Sequence, residues 1–178
     1  MKHFLATLAL VAFAAAPALA DPKSDLMAAM MQFGKASSYH MDVAGKGRTM
    51  EADVVLPNKM HMTSAQFEMI KIDQTTWVKM GGKWQQFTMP GMEQIMGSVN
   101  STLATTHPTD QMVVTDLGMK SPASGGPPLH AYTVTNEAGK SPSTMFLDGG
   151  RLVEVDNTDG TMVRFSKFND PIDISPPM

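Results

Sequence analysis

The chain has no cysteine among its 178 residues. That excludes disulfides, thiolate metal sites, a cysteine nucleophile and a lipid-modified N-terminal cysteine. Charge is also scarce: Asp, Glu, Lys and Arg make up 17% of the residues and never gather into a run. Scattered charge of this kind offers no footprint for nucleic acid or for an anionic membrane surface. Tryptophan and tyrosine occur only twice each. No apolar run is long enough to span a bilayer. The longest is Phe4–Ala16, which follows Lys2 and His3 and precedes Pro17-Ala18-Leu19-Ala20. A basic start, a short apolar stretch and an A-x-A site predict a secretory signal peptide over residues 1–20, cut after Ala20. The expectation is therefore an exported, periplasmic or secreted protein, with one folded domain over residues 21–178. With Lys2 gone, thirteen basic residues face seventeen acidic ones.

What the chain has in excess is methionine, eighteen in all, in places where leucine or phenylalanine is usual. Methionine is flexible and polarizable, so it suits both an irregular core and an adaptable apolar binding surface.

Between Ser38 and Phe87 the sequence alternates. Tyr39, Met41 and Val43 interleave with His40, Asp42 and Ala44; Met50, Ala52, Val54 and Leu56 interleave with Thr49, Glu51, Asp53 and Val55; Met60 and Met62 flank His61. Period-two alternation marks strands with one apolar face. Gly45–Gly47 and Pro57-Asn58 are the turns between them. Trp77–Met80, Gly81-Gly82 and Lys83-Trp84 spell a two-residue hairpin. Its register predicts Met80 opposite Lys83 and Lys79 opposite Trp84, with Lys79 between the two tryptophans in a cation–π arrangement. Phe67–Ile72 is apolar at both parities, which implies a bulge or a strand covered on both faces. Later strands are expected over Gln111–Met119, with Val113, Leu117 and Met119 on one side, and over Leu129–Thr135, Thr144–Leu147, Arg151–Asp156 and Thr161–Phe168. Ser121–Pro128 reads as a flexible loop by composition.

Two helices are predicted. Ser24 caps the first, over Asp25–Lys35, whose apolar face includes Leu26, Met30 and Phe33. The second covers Met92–Leu103, with Met92, Ile95, Met96, Val99 and Leu103 on one stripe. Gly97, Val99 and Thr102 give it poor propensity, so it needs a surface to dock on. Ten or eleven strands with two amphipathic helices predict a mainly β (α+β) domain: a single curved antiparallel sheet, a half or incomplete β-barrel, with both helices as lids on its concave face.

This order of elements resembles the periplasmic lipoprotein-carrier (LolA-like) superfamily. Ser24-Asp25-Leu26 at the first helix, Ser37-Ser38-Tyr39-His40 entering the first strand and Pro57-Asn58 between strands are similar to carrier segments. The Trp77 to Trp84 hairpin and the closing Phe168-Asn169-Asp170-Pro171 stretch are similar to mycobacterial lipid-binding lipoproteins of that fold. The resemblance implies an apolar cavity between sheet and lid that carries acyl chains or glycolipids. The carriers place an arginine immediately before the Pro-Asn step, where this chain has Leu56, a departure that bears on lipoprotein relay and not on the fold.

The expected function is an exported, non-enzymatic carrier or binder of an acylated or hydrophobic ligand. Its candidate cavity lining is Leu26, Met30, Phe33, Met41, Met50, Val54, Leu56, Met60, Met62, Met92, Ile95, Met96 and Val99. A transient envelope protein would act as donor or acceptor, and no cofactor is expected. Two alternatives remain open at this point. One is a methionine-rich copper protein using Met60, His61 and Met62, although strand alternation sends His61 to the opposite face. The other is an envelope sensor or interaction domain that transports nothing. No catalytic motif is present: G-x-S-x-G, H-E-x-x-H and phosphate-binding loops are all missing.

Overall fold

The computed structural model describes residues 21–87, 112–136 and 142–178. The second predicted helix, over Met92–Leu103, lies outside the described residues, as does the predicted signal peptide.

The described residues form one helix and one sheet of eleven strands. Helix α1 spans Pro22–Phe33. Six strands follow in a meander: β1 Ser38–Gly45, β2 Arg48–Val55, β3 Lys59–Ser64, β4 Glu68–Ile72, β5 Thr75–Met80 and β6 Lys83–Phe87. A second meander holds β7 Met112–Lys120, β8 Leu129–Asn136, β9 Ser143–Asp148, β10 Arg151–Asn157 and β11 Met162–Ser166. All pairs are antiparallel, in the order β6-β5-β4-β3-β2-β1-β11-β10-β9-β8-β7. The two meanders join side by side where β1 pairs with β11, Met41 opposite Phe165 and Val43 opposite Val163. Short connections explain each pairing within a meander, but only this long-range contact makes one sheet of the two.

The first helix begins earlier than the sequence suggests. Asp21, not Ser24, is its cap: the Asp21 carboxylate accepts from Lys23 N at 3.4 Å and from Ser24 N at 3.2 Å. Ser24 Oγ donates to the same carboxylate at 2.9 Å. Pro22 fits the first helical position because its missing N–H would have been unpaired there anyway. The helix ends at Phe33, with Gly34 as its C-cap.

α1 lies on the sheet face that carries Tyr39, Met41, Val54 and Phe165, with Leu26 and Ala29 buried against it. It touches both β10 and β7, three places apart in strand order. The helix thus lies across the strands on the inside of the curved sheet, the concave face. Phe33 anchors the contact, with ring centroids 5.0 Å from Tyr39, 4.8 Å from Phe165 and 5.8 Å from Phe168.

Two local expectations change, and between the two readings of a third the structure decides. A bulge between Asp116 and Gly118 shifts the register of β7. The Gly118 N–H donates to Asp116 Oδ1 at 2.7 Å, and Gly118 takes φ of 66°, which glycine adopts without strain. Val113 and Met119 therefore fall on opposite faces, not on one. The 121–128 loop is not loose: Pro122 is buried, Ala123 N donates to Asp156 at 3.0 Å and Ser124 N to Glu154 at 3.0 Å. The apolar stretch near Ile72 is a strand buried on both sides, Met69 inside and Ile70 outside, in unbroken register with both neighbours.

Candidate binding site

The concave face is built by register. Directly opposed residues of antiparallel strands share a face, so the pairings sort the side chains into rows. One row crosses six strands: Phe165, Met41, Ala52, Met62, Met69 and Val78. The next runs Tyr132, Met145, Val155, Val163, Val43 and Met50. Together they make a continuous apolar wall in which methionine supplies five of the twelve side chains. Each strand donates one alternate set of its residues to it, which is why the pattern is legible in the sequence.

The predicted lining residues sort cleanly. Leu26, Met41, Val54, Met60 and Met62 are buried in the central cluster, and Met30, Phe33 and Met50 pack against it half-buried. Leu56 does not join them. It is 40% exposed, beside the cis Leu56–Pro57 bond at the β2–β3 turn. Met92, Ile95, Met96 and Val99 lie outside the described residues. The sequence reading missed the contribution of the second meander: Tyr132, Val134, Met145, Leu147, Leu152, Val155 and Phe165 complete the cluster. Met145 and Leu147 do alternate with Phe146, but Phe146 is apolar too and masks the parity.

The convex face carries the acidic residues of the first meander's strands. His40 Nδ1 lies 2.7 Å from Asp53 and its Nε2 lies 3.2 Å from Asp42. His61 points outward, away from Met60 and Met62, and bonds Glu68 at 3.1 Å. This geometry separates the imidazole from the two thioethers of the copper alternative. Lys79 bonds the other oxygen of Glu68 at 2.9 Å and sits 5.5 Å from the Trp84 ring centroid, in the register predicted for the hairpin. Lys79 first and His61 second hold the Glu68 carboxyl below its ordinary range. Among the described residues no cluster of three or more His, Cys, Asp or Glu is placed to hold a metal ion.

At the far end of the sheet, burial pushes the Tyr132 hydroxyl upward, and that hydroxyl donates to Asp25 of α1 at 3.4 Å. His130 stacks on Tyr132 at 4.8 Å and bonds Asp116 at 2.8 Å. These polar contacts tie the helix start and the edge strand together.

Solved structures share this architecture. LprF from Mycobacterium bovis aligns with TM-score 0.60 at 14% identity, covering 88% of this chain and 96% of its own. The Mycobacterium tuberculosis lipoprotein LppX aligns with TM-score 0.58 at 15% identity, covering 86% and 98%. The fold is LolA-like. It is the fold the sequence resemblance implies, shared with these two mycobacterial proteins over nearly the whole of each. No protein-family model and no curated protein matches the sequence. Among the described residues no helix is long and apolar enough to cross a membrane.

Proposed function

We propose that the protein is an exported, non-catalytic carrier of an acylated or otherwise hydrophobic ligand, held between the concave face and a helical cover. One observation carries the reading: the apolar wall of two adjacent rows, rich in methionine and continuous across the junction of the meanders. A sheet needs only a few large aliphatics to pack one helix, whereas a long wall of flexible thioethers can shape itself to a chain. The energetics suffice. Each buried methylene contributes about 0.8 kcal/mol, so a twelve-carbon chain offers close to ~10 kcal/mol before the costs of association. In this reading Met41, Met50, Val54, Met60 and Met62 form the wall and Leu26, Met30 and Phe33 of α1 flank it. Met92, Ile95, Met96 and Val99 are proposed as the complementary cover, on the strength of their sequence spacing.

Organic extraction of the native protein, followed by mass spectrometry, tests this directly. The expected result is a stoichiometric acylated species, together with saturable uptake of a fluorescent fatty-acid probe by the delipidated protein. Met96→Asp is expected to abolish uptake with little change in melting temperature. A protein that carries no lipid and takes up no probe overturns the proposal.

A further inference from the structure

The inner face of the first meander carries charge of one sign only. On β1–β6 the acidic residues Asp42, Glu51, Asp53 and Glu68 all have the outward parity. Arg48, Lys71 and Lys83 have the inward parity, in register with Gly45, Met60 and Met80. Arg48 and Lys83 are exposed at strand ends, but Lys71 is half-buried within the wall. It stands between buried Met60 on one side and buried Thr76 on the other. Among the described residues the Lys71 ammonium has no hydrogen-bond or ion-pair partner. The carboxylate nearest to it in sequence, Asp73 at the β4–β5 turn, accepts instead from Asn58 Nδ2 at 3.1 Å. An ammonium on an apolar wall loses hydration unless an anion meets it or its stem carries it to the rim. Lys71 is two residues from that turn, next to the end of its strand.

We propose that Lys71 is the headgroup anchor of the site: it pairs with a single anionic group at the end of an acyl chain whose tail lies along the methionine wall. The ligand class is an anionic amphiphile, with a carboxylate or a phosphate monoester as the charged end. This inference rests on the carrier reading above and goes beyond it, because an apolar wall alone does not choose between charged and neutral lipids.

The test uses the delipidated full chain and two probes that share a tail but differ in headgroup charge, 11-(dansylamino)undecanoic acid and its methyl ester. Wild type is expected to bind the acid roughly tenfold more tightly than the ester, as for a hydrogen bond to a charged group. Lys71→Met should bind both probes as wild type binds the ester, and Lys71→Arg should restore the preference. Lys79→Met, on the outer face, should leave it unchanged. Displacement of the acid probe by dodecanoate and by dodecyl phosphate separates the two headgroups. Displacement by either one that weakens in Lys71→Met supports the anchor and names its partner. Equal binding of acid and ester by wild type, or a preference that survives Lys71→Met, overturns the anchor while leaving the carrier reading intact. Failure of wild type to bind either probe would instead count against the carrier reading, and with it against the anchor.

Discussion

Phe33, at the end of α1, meets Phe165 of β11 edge to face with centroids 4.8 Å apart. The contact joins the first element of the described chain to its last strand, across the junction of the two meanders. Replacing Phe33 by alanine removes its contacts with Tyr39, Phe165 and Phe168 together. For a half-buried ring the expected cost is about 2–3 kcal/mol, somewhat below that of a fully buried phenylalanine. Phe33→Leu should cost under about 1.5 kcal/mol. Urea unfolding followed by circular dichroism checks both, and an alanine variant as stable as the leucine one would remove the ring cluster from the account.

Glu154 is 2% exposed, and Ser124 satisfies it twice, through the backbone N–H at 3.0 Å and through Oγ at 2.5 Å. Ser124→Ala takes away the hydroxyl and leaves a buried carboxylate short of a donor, at a cost of about 1–3 kcal/mol. The loss should be local as well as global. Limited proteolysis is expected to cut the 121–128 loop in the variant and to spare it in wild type; an uncut loop would mean that Pro122 and the Ala123 and Ser124 N–H bonds hold it without the hydroxyl.

Asp156 beside it gives a pH dependence of definite sign. Burial, with a smaller push from the Glu154 carboxylate, raises the Asp156 carboxyl above its ordinary value, while the Ala123 N–H pulls it partly back. Its Oδ1 is buried with no partner among the described residues. A raised native pKa means that the folded protein holds this proton more tightly than the unfolded chain does. The stabilisation is fully present below the unfolded value of 3.8 and is lost as pH rises through the raised one. At neutral pH the ionised group is therefore a liability. Asp156→Asn keeps an acceptor for Ala123 N and is expected to melt above wild type at pH 7, with the gap closing below pH 4. Melting curves at the two pH values decide it; a loss at pH 7 that vanishes below pH 4 would show instead that the ionised carboxylate is needed.

Gly45 and Gly47 share one turn but are required for different reasons. A Cβ on Gly45 would lie 2.8 Å from Thr161 Cα, where the β1–β2 turn meets the residue before β11. Backbone cannot yield as a side-chain tip can, so Gly45→Ala should cost about 1–3 kcal/mol. Gly47 has open space around it but φ of 73°, so Gly47→Ala should cost about 1–2 kcal/mol through conformation alone. Thermal melts of the two variants, alone and combined, should show nearly additive losses. A neutral Gly45→Ala would mean that the two turns separate without penalty.

The alternation around Met41, Met50, Met60 and Met62 determined the first meander, because a period of two leaves each strand only one parity that buries its apolar side. The Gly81-Gly82 hairpin determined its own register, because its two turn glycines, at φ 58° and 79°, allow the tight two-residue link. The same alternation placed His61 outside and Met60 and Met62 inside. Local patterns of this kind are complete within a few residues, so the chain states them by itself.

Other features depend on partners distant in sequence. The Asp116 bulge moves Met119 to the inward parity, and Gly118, an isolated glycine within the strand, is its one local sign. The glycine-rich 121–128 loop is ordered by Glu154 and Asp156, some thirty residues later. Leu56 continues the alternation of β2 but lies past its last ladder pair, at a turn that leaves it exposed. The pairing of β1 with β11 brings Met41 beside Phe165 and makes one wall of two meanders. The register of β4 with β3 and β5 gives Lys71 its setting, since a lysine in an alternating strand looks like any solvated residue until register fixes its face. The sequence by itself determined the strands, their order in each meander and the methionine side of each. Only the tertiary structure decided how the meanders join, which loop is held down and which charges face inward, because those depend on contacts whose two halves lie far apart in the chain.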